Sequence, residues 1–211
     1  THHPTERSLY SILKVFLEFV GVLRCVGAAL PLADFLEVNE SCPNVHHGDG
    51  GAAVAQELAA RLRAIVAERD AAARAPGGRR VPILVKLGDL GDPKETVRFL
   101  AKVGIDGLVA LNTQKDYDAF ELPEADKALL AHYTQRYGGG LSGPPVLPRA
   151  TAQAAAAQAA VRELKLGGAF TVVHVGGLQS AADMARSRET GVELRQWYTG
   201  LTGQSWRWTS G

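Results

Sequence analysis

A chain of 211 residues, 46% hydrophobic and 21% charged, has ordinary globular composition and enough material for one core. Its formal net charge of +1 gives no strong field toward nucleic acid or an anionic membrane, so the expected partner is a small molecule held by local geometry. Two cysteines, Cys25 and Cys42, make neither a disulfide framework nor a zinc spacing, which points to a reducing compartment.

The opening THHPTERS reads as neither a signal peptide nor a plain purification tag. Residues 8–30, SLYSILKVFLEFVGVLRCVGAAL, are apolar but interrupted by Lys14, Glu18 and Arg24. The first two fall one helical turn apart, so an amphipathic helix is expected rather than a membrane span. Five apolar, β-rich runs follow, at residues 33–39, 81–88, 107–113, 170–177 and 193–200. Nearly continuous hydrophobicity is what a parallel strand covered on both faces displays.

Helical patterns lie between these runs. Residues 51–75 carry apolar side chains at helical spacing with charges opposite, and residues 92–104 offer Asp92 as cap, Pro93 in the first turn and Gly104 as stop. Residues 150–168 are Ala-rich and helical on propensity; residues 180–191 begin with a serine cap and end at Gly191. Strand alternating with helix predicts an α/β fold with a parallel sheet, whose chemistry sits at the carboxyl edge of the strands. A complete (β/α)8 TIM-type barrel takes about 250 residues and eight strands. Five strands therefore predict a partial barrel without its N-terminal strands, whose open edges favour self-association. We read residues 1–211 as one partial domain, with a helical lead-in over 1–31 and the motif-bearing part over 32–203.

The residues after each strand are polar or glycine. Cys42 stands in NESCPN, where Pro43 fixes the backbone, Asn39 and Asn44 offer amides and Ser41 a hydroxyl. A packed, inert cysteine is one reading; a thiol base beside a planar polar ligand is the other. Lys86 lies within a strand, where an ammonium is costly to bury unpaired. It either reaches the rim or pairs with Asp89, or it holds positive charge beside a ring that becomes anionic on reduction, as a flavin does. GGGLSG, VGGL and YTG, individually plain turns, together resemble a phosphate cradle of backbone N–H groups. His46, His47 and Asp49 lack a third ligand at fitting spacing, so no metal site is expected, and His174 reads as a core residue.

These motifs, in this order, resemble the dihydroorotate dehydrogenase family of FMN-dependent barrels. NESCPN resembles its base loop, VPILVKL its flavin-lysine strand, GIDGLVALNT its Asn-Thr strand, GGLSG its glycine loop, and VGGL with YTG its FMN-phosphate strands, from Leu32 to about Gly203. The resemblance implies oxidation of dihydroorotate to orotate in pyrimidine biosynthesis, with FMN as cofactor, once the remaining barrel part is supplied. Cys42 would be the general base; Asn39, Asn44, Asn112 and Thr113 would hold the substrate. Lys86 would stabilise the reduced flavin, and Gly143, Gly177, Tyr198 and Thr199 would contact FMN.

The cysteine in SCPNV is similar to the soluble class 1 enzymes; the long helix ending AERDAAA, with GGLSG and YTG, is similar to the membrane-associated class 2 enzymes, and the overall resemblance is to class 2. Class 2 implies a quinone acceptor and the mitochondrial or bacterial inner membrane; class 1 implies the cytoplasm. VHHGDGG after Asn44 and LGDLGDP after Lys86 depart from the family's usual continuations. Two alternatives stay open: a non-catalytic truncated homologue or partner-binding chain, and a flavin oxidoreductase acting on another dihydropyrimidine.

Overall fold

The computed structural model describes residues 20–40 and 51–202, with backbone alone over 51–55. These residues fall into two compact units. The first holds helix α1, residues 20–29, helix α2, Gly51–Arg74, and the chain running up to Ile83. Along α2 the buried positions Ala59, Leu62, Ile65 and Arg69 recur every three or four residues, the stripe of a helix with one face in a core. Val26, Leu30, Val81 and Ile83 are buried in the same unit.

The second unit carries most of a five-stranded sheet and the helices between its strands. β1 is Leu36–Asn39, β2 Ile83–Leu87, β3 Gly107–Ala110, β4 Thr171–Val175 and β5 Leu194–Gln196. All five expected strands are present, and the sheet order is their order along the chain. β2 to β5 pair in parallel, with Leu84 opposite Gly107 and Gly107 opposite Thr171. The bonds from Leu36 N–H to the Pro82 carbonyl and from Glu40 N–H to the Lys86 carbonyl advance together, so β1 is parallel as well.

The helices form where capping and spacing dictate. α3, Pro93–Val103, starts at Asp92, whose Oδ1 accepts from the N–H groups of Lys94 at 2.8 Å and Glu95 at 3.0 Å, and it stops at Gly104 in the left-handed region. α4 is Glu124–Tyr137 and α5 is Leu147–Glu163. Ala150, Ala154, Ala157 and Val161 give α5 a buried stripe of small residues where it packs on α3. α6, Ala181–Glu189, has a capping box in which Ser180 and Asp183 satisfy each other's backbone donors.

Successive residues of a strand point to opposite sides of the sheet. On one side Leu84, Val109 and Val173 form an apolar cluster, with Val175 packed against it. Lys86 and Gln196 share that side by the same alternation, and their side chains meet although β3 and β4 lie between their strands. Gln196 also donates to Glu37 on β1, at the far edge of the sheet. In a flat sheet β1 and β5 would stand roughly 19 Å apart. The sheet is therefore curled, and its concave side is the interior of a TIM-type barrel built from five of its strands.

On the other side, His174 is fully buried, with Nδ1 2.7 Å from the Ser187 hydroxyl, which accepts from Arg195 Nε at 3.0 Å. His174 is a core residue, as its place in the fourth strand suggested. Burial, with the Arg195 guanidinium nearby, pushes its pKa down to about 4. The folded state thus holds a neutral imidazole that the unfolded chain protonates near pH 6.5. Its contribution to stability is full above that pH and is lost as pH falls toward 4. We expect unfolding free energy to drop by about 2 kcal/mol from this group between pH 7 and 4.5. Urea midpoints at the two pH values should show the drop, and His174→Gln should flatten it.

Candidate active site

The candidate residues that the structure describes all belong to the second unit; all but Gly143, which lies between α4 and α5, stand at or just beyond the carboxyl ends of its strands. β3 runs out into Leu111, Asn112 and Thr113. The Asn112 side-chain amide donates to Asn39 Oδ1 at 3.0 Å, tying the end of β3 to the end of β1, and Asn112 Oδ1 accepts from the Thr113 N–H at 2.8 Å. Gln114 is buried behind them and donates to the carbonyls of Gly88 at 2.7 Å and Asn112 at 2.8 Å. One side chain thereby fixes the exits of both β2 and β3.

The glycine loop is clipped to the same place. Gln114 and Leu141 exchange both backbone hydrogen bonds in an isolated antiparallel bridge, at 3.0 and 2.6 Å. At the next residue the Ser142 hydroxyl lies 3.2 Å from Thr199 Oγ1, and a Cβ on Gly143 would sit 3.5 Å from Thr199 Cγ2. Segments that are distant in sequence, the loop 138–143 and the helix start at 198–200, are therefore neighbours. Gly177 closes the group from β4: its φ is +76°, and a Cβ there would lie 2.5–2.6 Å from the Leu147 backbone and Cβ. Tyr198 is 77% exposed, so its ring reaches solvent.

Lys86 does not meet Asp89. Its ammonium lies 3.5 Å from Glu37 Oε1 and donates to Gln196 Oε1 at 3.5 Å, on the concave side of the sheet. Asp89 instead accepts from Arg149 at 2.9 Å and Gln153 at 3.2 Å, and Arg149 also pairs with Asp116 beyond β3. Burial alone would raise the Asp89 pKa; the Gly91 N–H, Gln153 and Arg149 outweigh it and hold the carboxyl below its ordinary range. Arg149 so ties the rim loops after β2 and β3 to α5.

Cys42 and Asn44 lie outside the described residues, as do His46, His47 and Asp49. The chain is described up to Glu40, whose N–H is bonded beside Lys86. Sequence reasoning had not singled out Glu37, Gln114, Ser142, Gln196 or Trp197. Period-two alternation was the available indication for Glu37 and Gln196, each two residues before a named candidate.

The family model described as dihydroorotate dehydrogenase matches residues 13–209. The chain belongs to the dihydroorotate dehydrogenase family. It is 37% identical over 186 residues to a dihydroorotate dehydrogenase (quinone) of Acidovorax ebreus (strain TPSY), covering 85% of this chain and 47% of that protein. A namesake from Leptothrix cholodnii (strain ATCC 51168 / LMG 8142 / SP-6) is 37% identical over 187 residues, 85% of this chain and 48% of the relative. A crystal structure of DHODH from Eimeria tenella in complex with ferulenol superposes with a TM-score of 0.67 over 87% of this chain and 49% of that one; at 21% identity the likeness is one of fold. The chain spans about half the length of the curated relatives it matches.

Dihydroorotate dehydrogenases are generally flavin-dependent, and the chemistry of the edge is compatible with a phosphorylated flavin. At Gly143 a Cβ would meet no atom nearer than 3.5 Å, so its backbone stays open beside the Ser142 and Thr199 hydroxyls. The Trp197 indole N–H is buried with no acceptor among the described residues, under the turn at Gly200. Such a donor favours an anionic or carbonyl group placed within its reach.

Proposed function

We infer that this chain is the C-terminal part of an FMN-dependent barrel that oxidises dihydroorotate to orotate. The observation that carries the reading is the convergence on one sheet edge of Asn39 bonded to Asn112, Lys86 on the adjoining concave face, and the glycine loops around Thr199. Bound FMN supplies the hydride acceptor. Gly143, Gly177 and Thr199 hold its phosphate through backbone N–H groups and the hydroxyl, with Tyr198 contributing its backbone, and Lys86 holds positive charge toward the ring. Asn39, Asn44, Asn112 and Thr113 hold the planar substrate through its ring amides and carboxylate. Cys42 takes the proton from substrate C5 as a hydride leaves C6, so that the two hydrogens lost account for the new C5–C6 double bond.

The relatives named above are quinone enzymes, and we assign this chain a quinone acceptor met at a membrane surface. Among the described residues no helix is long and apolar enough to cross a membrane. The relatives are about twice as long, so activity is assigned to this chain together with the remaining barrel strands. The test joins the chain to those strands and measures flavin absorbance and dihydroorotate-dependent dye reduction. Stoichiometric flavin with turnover supports the reading. Cooperative folding without flavin favours a non-catalytic assembly role, and turnover confined to other members of a dihydropyrimidine panel moves the substrate assignment.

A further inference from the structure

Glu37 puts a carboxylate where the reaction itself asks for none. It shares a face of β1 with Asn39, and with Lys86 and Gln196 it closes a ring of three polar groups drawn from β1, β2 and β5. Lys86 contacts the carboxylate and the Gln196 carbonyl oxygen, and the Gln196 amide donates to the other oxygen of Glu37. The Lys86 and Glu37 side chains keep only 17% and 23% of their exposure, and the apolar cluster of Leu84, Val109 and Val173 lies on the same concave side. A solvated pair of this kind contributes little, but one screened by protein and held by a third residue fixes where the ammonium sits and how much of its field reaches a neighbour.

We propose that Glu37 is a positioning residue for Lys86: oriented by Gln196, its carboxylate holds the ammonium on the barrel interior and offsets its charge, so that the site stabilises a reduced, anionic flavin less than a lone lysine does. The proposal rests on the flavin reading above. Lys86 supplies attraction that grows when the ring gains negative charge, whereas Glu37 supplies repulsion of the same kind. The balance between them sets the driving force for accepting hydride and for passing electrons onward.

Two measurements on Glu37→Gln and Glu37→Asp test this. Glu37→Gln removes the charge with almost no change of shape; Glu37→Asp keeps the charge on a shorter stem. In the 211-residue chain without cofactor, modification of the Lys86 amine by limiting acetic anhydride is followed by peptide mass spectrometry, with circular dichroism as the check on folding. Loss of the pair in Glu37→Gln is expected to speed labelling about fivefold, with Glu37→Asp between it and the parent. An unchanged labelling rate in both variants overturns the pairing.

In the flavin-loaded polypeptide, Glu37→Gln is expected to favour the reduced over the oxidised flavin by about tenfold, a midpoint potential about 30 mV more positive. Glu37→Asp should restore most of the parent value. A potential that stays put, or moves negative, overturns the charge-offset role. Failure of the polypeptide to take up flavin counts against the proposed function alone, and the labelling result then decides the role of Glu37.

Discussion

Replacement of Cys42 by alanine is expected to slow dihydroorotate oxidation by about 10²–10⁴-fold while leaving flavin uptake intact, because general-base catalysis by a positioned group contributes on that scale. The base must be a thiolate, and an ordinary cysteine ionises near 8.5. The rate should therefore climb with pH through the neutral range and level off as the thiol is lost. Cys42→Ser, whose hydroxyl holds its proton far more tightly, should retain a residual rate with the plateau displaced upward. Steady-state dye reduction between pH 6 and 10, with flavin content measured on the same samples, checks both statements. Turnover in Cys42→Ala equal to the parent's would remove Cys42 from the mechanism and leave the substrate amides without a base beside them.

The second large effect is structural. Gly177→Ala is expected to lower unfolding free energy by about 2–5 kcal/mol, combining the cost of a left-handed backbone for a residue bearing Cβ with overpacking against atoms that cannot yield. The atoms in question are N, Cα and Cβ of Leu147, all within 2.6 Å of where the new methyl would lie. They belong to the first turn of α5, so relief requires that the helix or the loop move. Loop movement shifts the residue-177 backbone that the proposed function places on the phosphate, and phosphate affinity should fall along with stability. Urea unfolding gives the first quantity, and an FMN titration of the full barrel gives the second. A variant as stable as the parent would mean that the turn at 176–177 adapts freely.

Most of this architecture could be read from residue patterns, and the reasons are physical. The five strands are short apolar runs bounded by glycine and polar residues, and each appears where that pattern places it, shortened at the ends where pairing stops. Asp92 and Gly104 mark α3, and Ser180 marks α6, because caps act through nearest neighbours and need no tertiary context. α4 was not foreseen. None of its residues is buried, so it has no apolar stripe to read, and it is supported by local contacts such as Lys127 to Glu124 at 2.8 Å.

Within the candidate site, Asn39, Asn112, Gly177 and Thr199 stand out because amides, glycine and hydroxyls end or follow strands, Lys86 because a charge interrupts one, and Gly143 because it closes a glycine run. Gln114 and Gln196 do not, since their roles come from partners that folding brings near: Gly88 for the one, Lys86 and Glu37 for the other. The pairing of Lys86 with Glu37 rather than Asp89 likewise depends on sheet curvature, which no stretch of sequence expresses locally.

That curvature also has a kinetic side. Every strand pairs with its immediate successor, so the sheet can grow one hairpin-free step at a time as the polypeptide emerges. The clasp from Gln196 to Glu37 joins positions 159 residues apart and must wait for the last strand to dock. Bending is thus expected to be a late acquisition of folding, and weakening the clasp should quicken unfolding far more than it slows assembly.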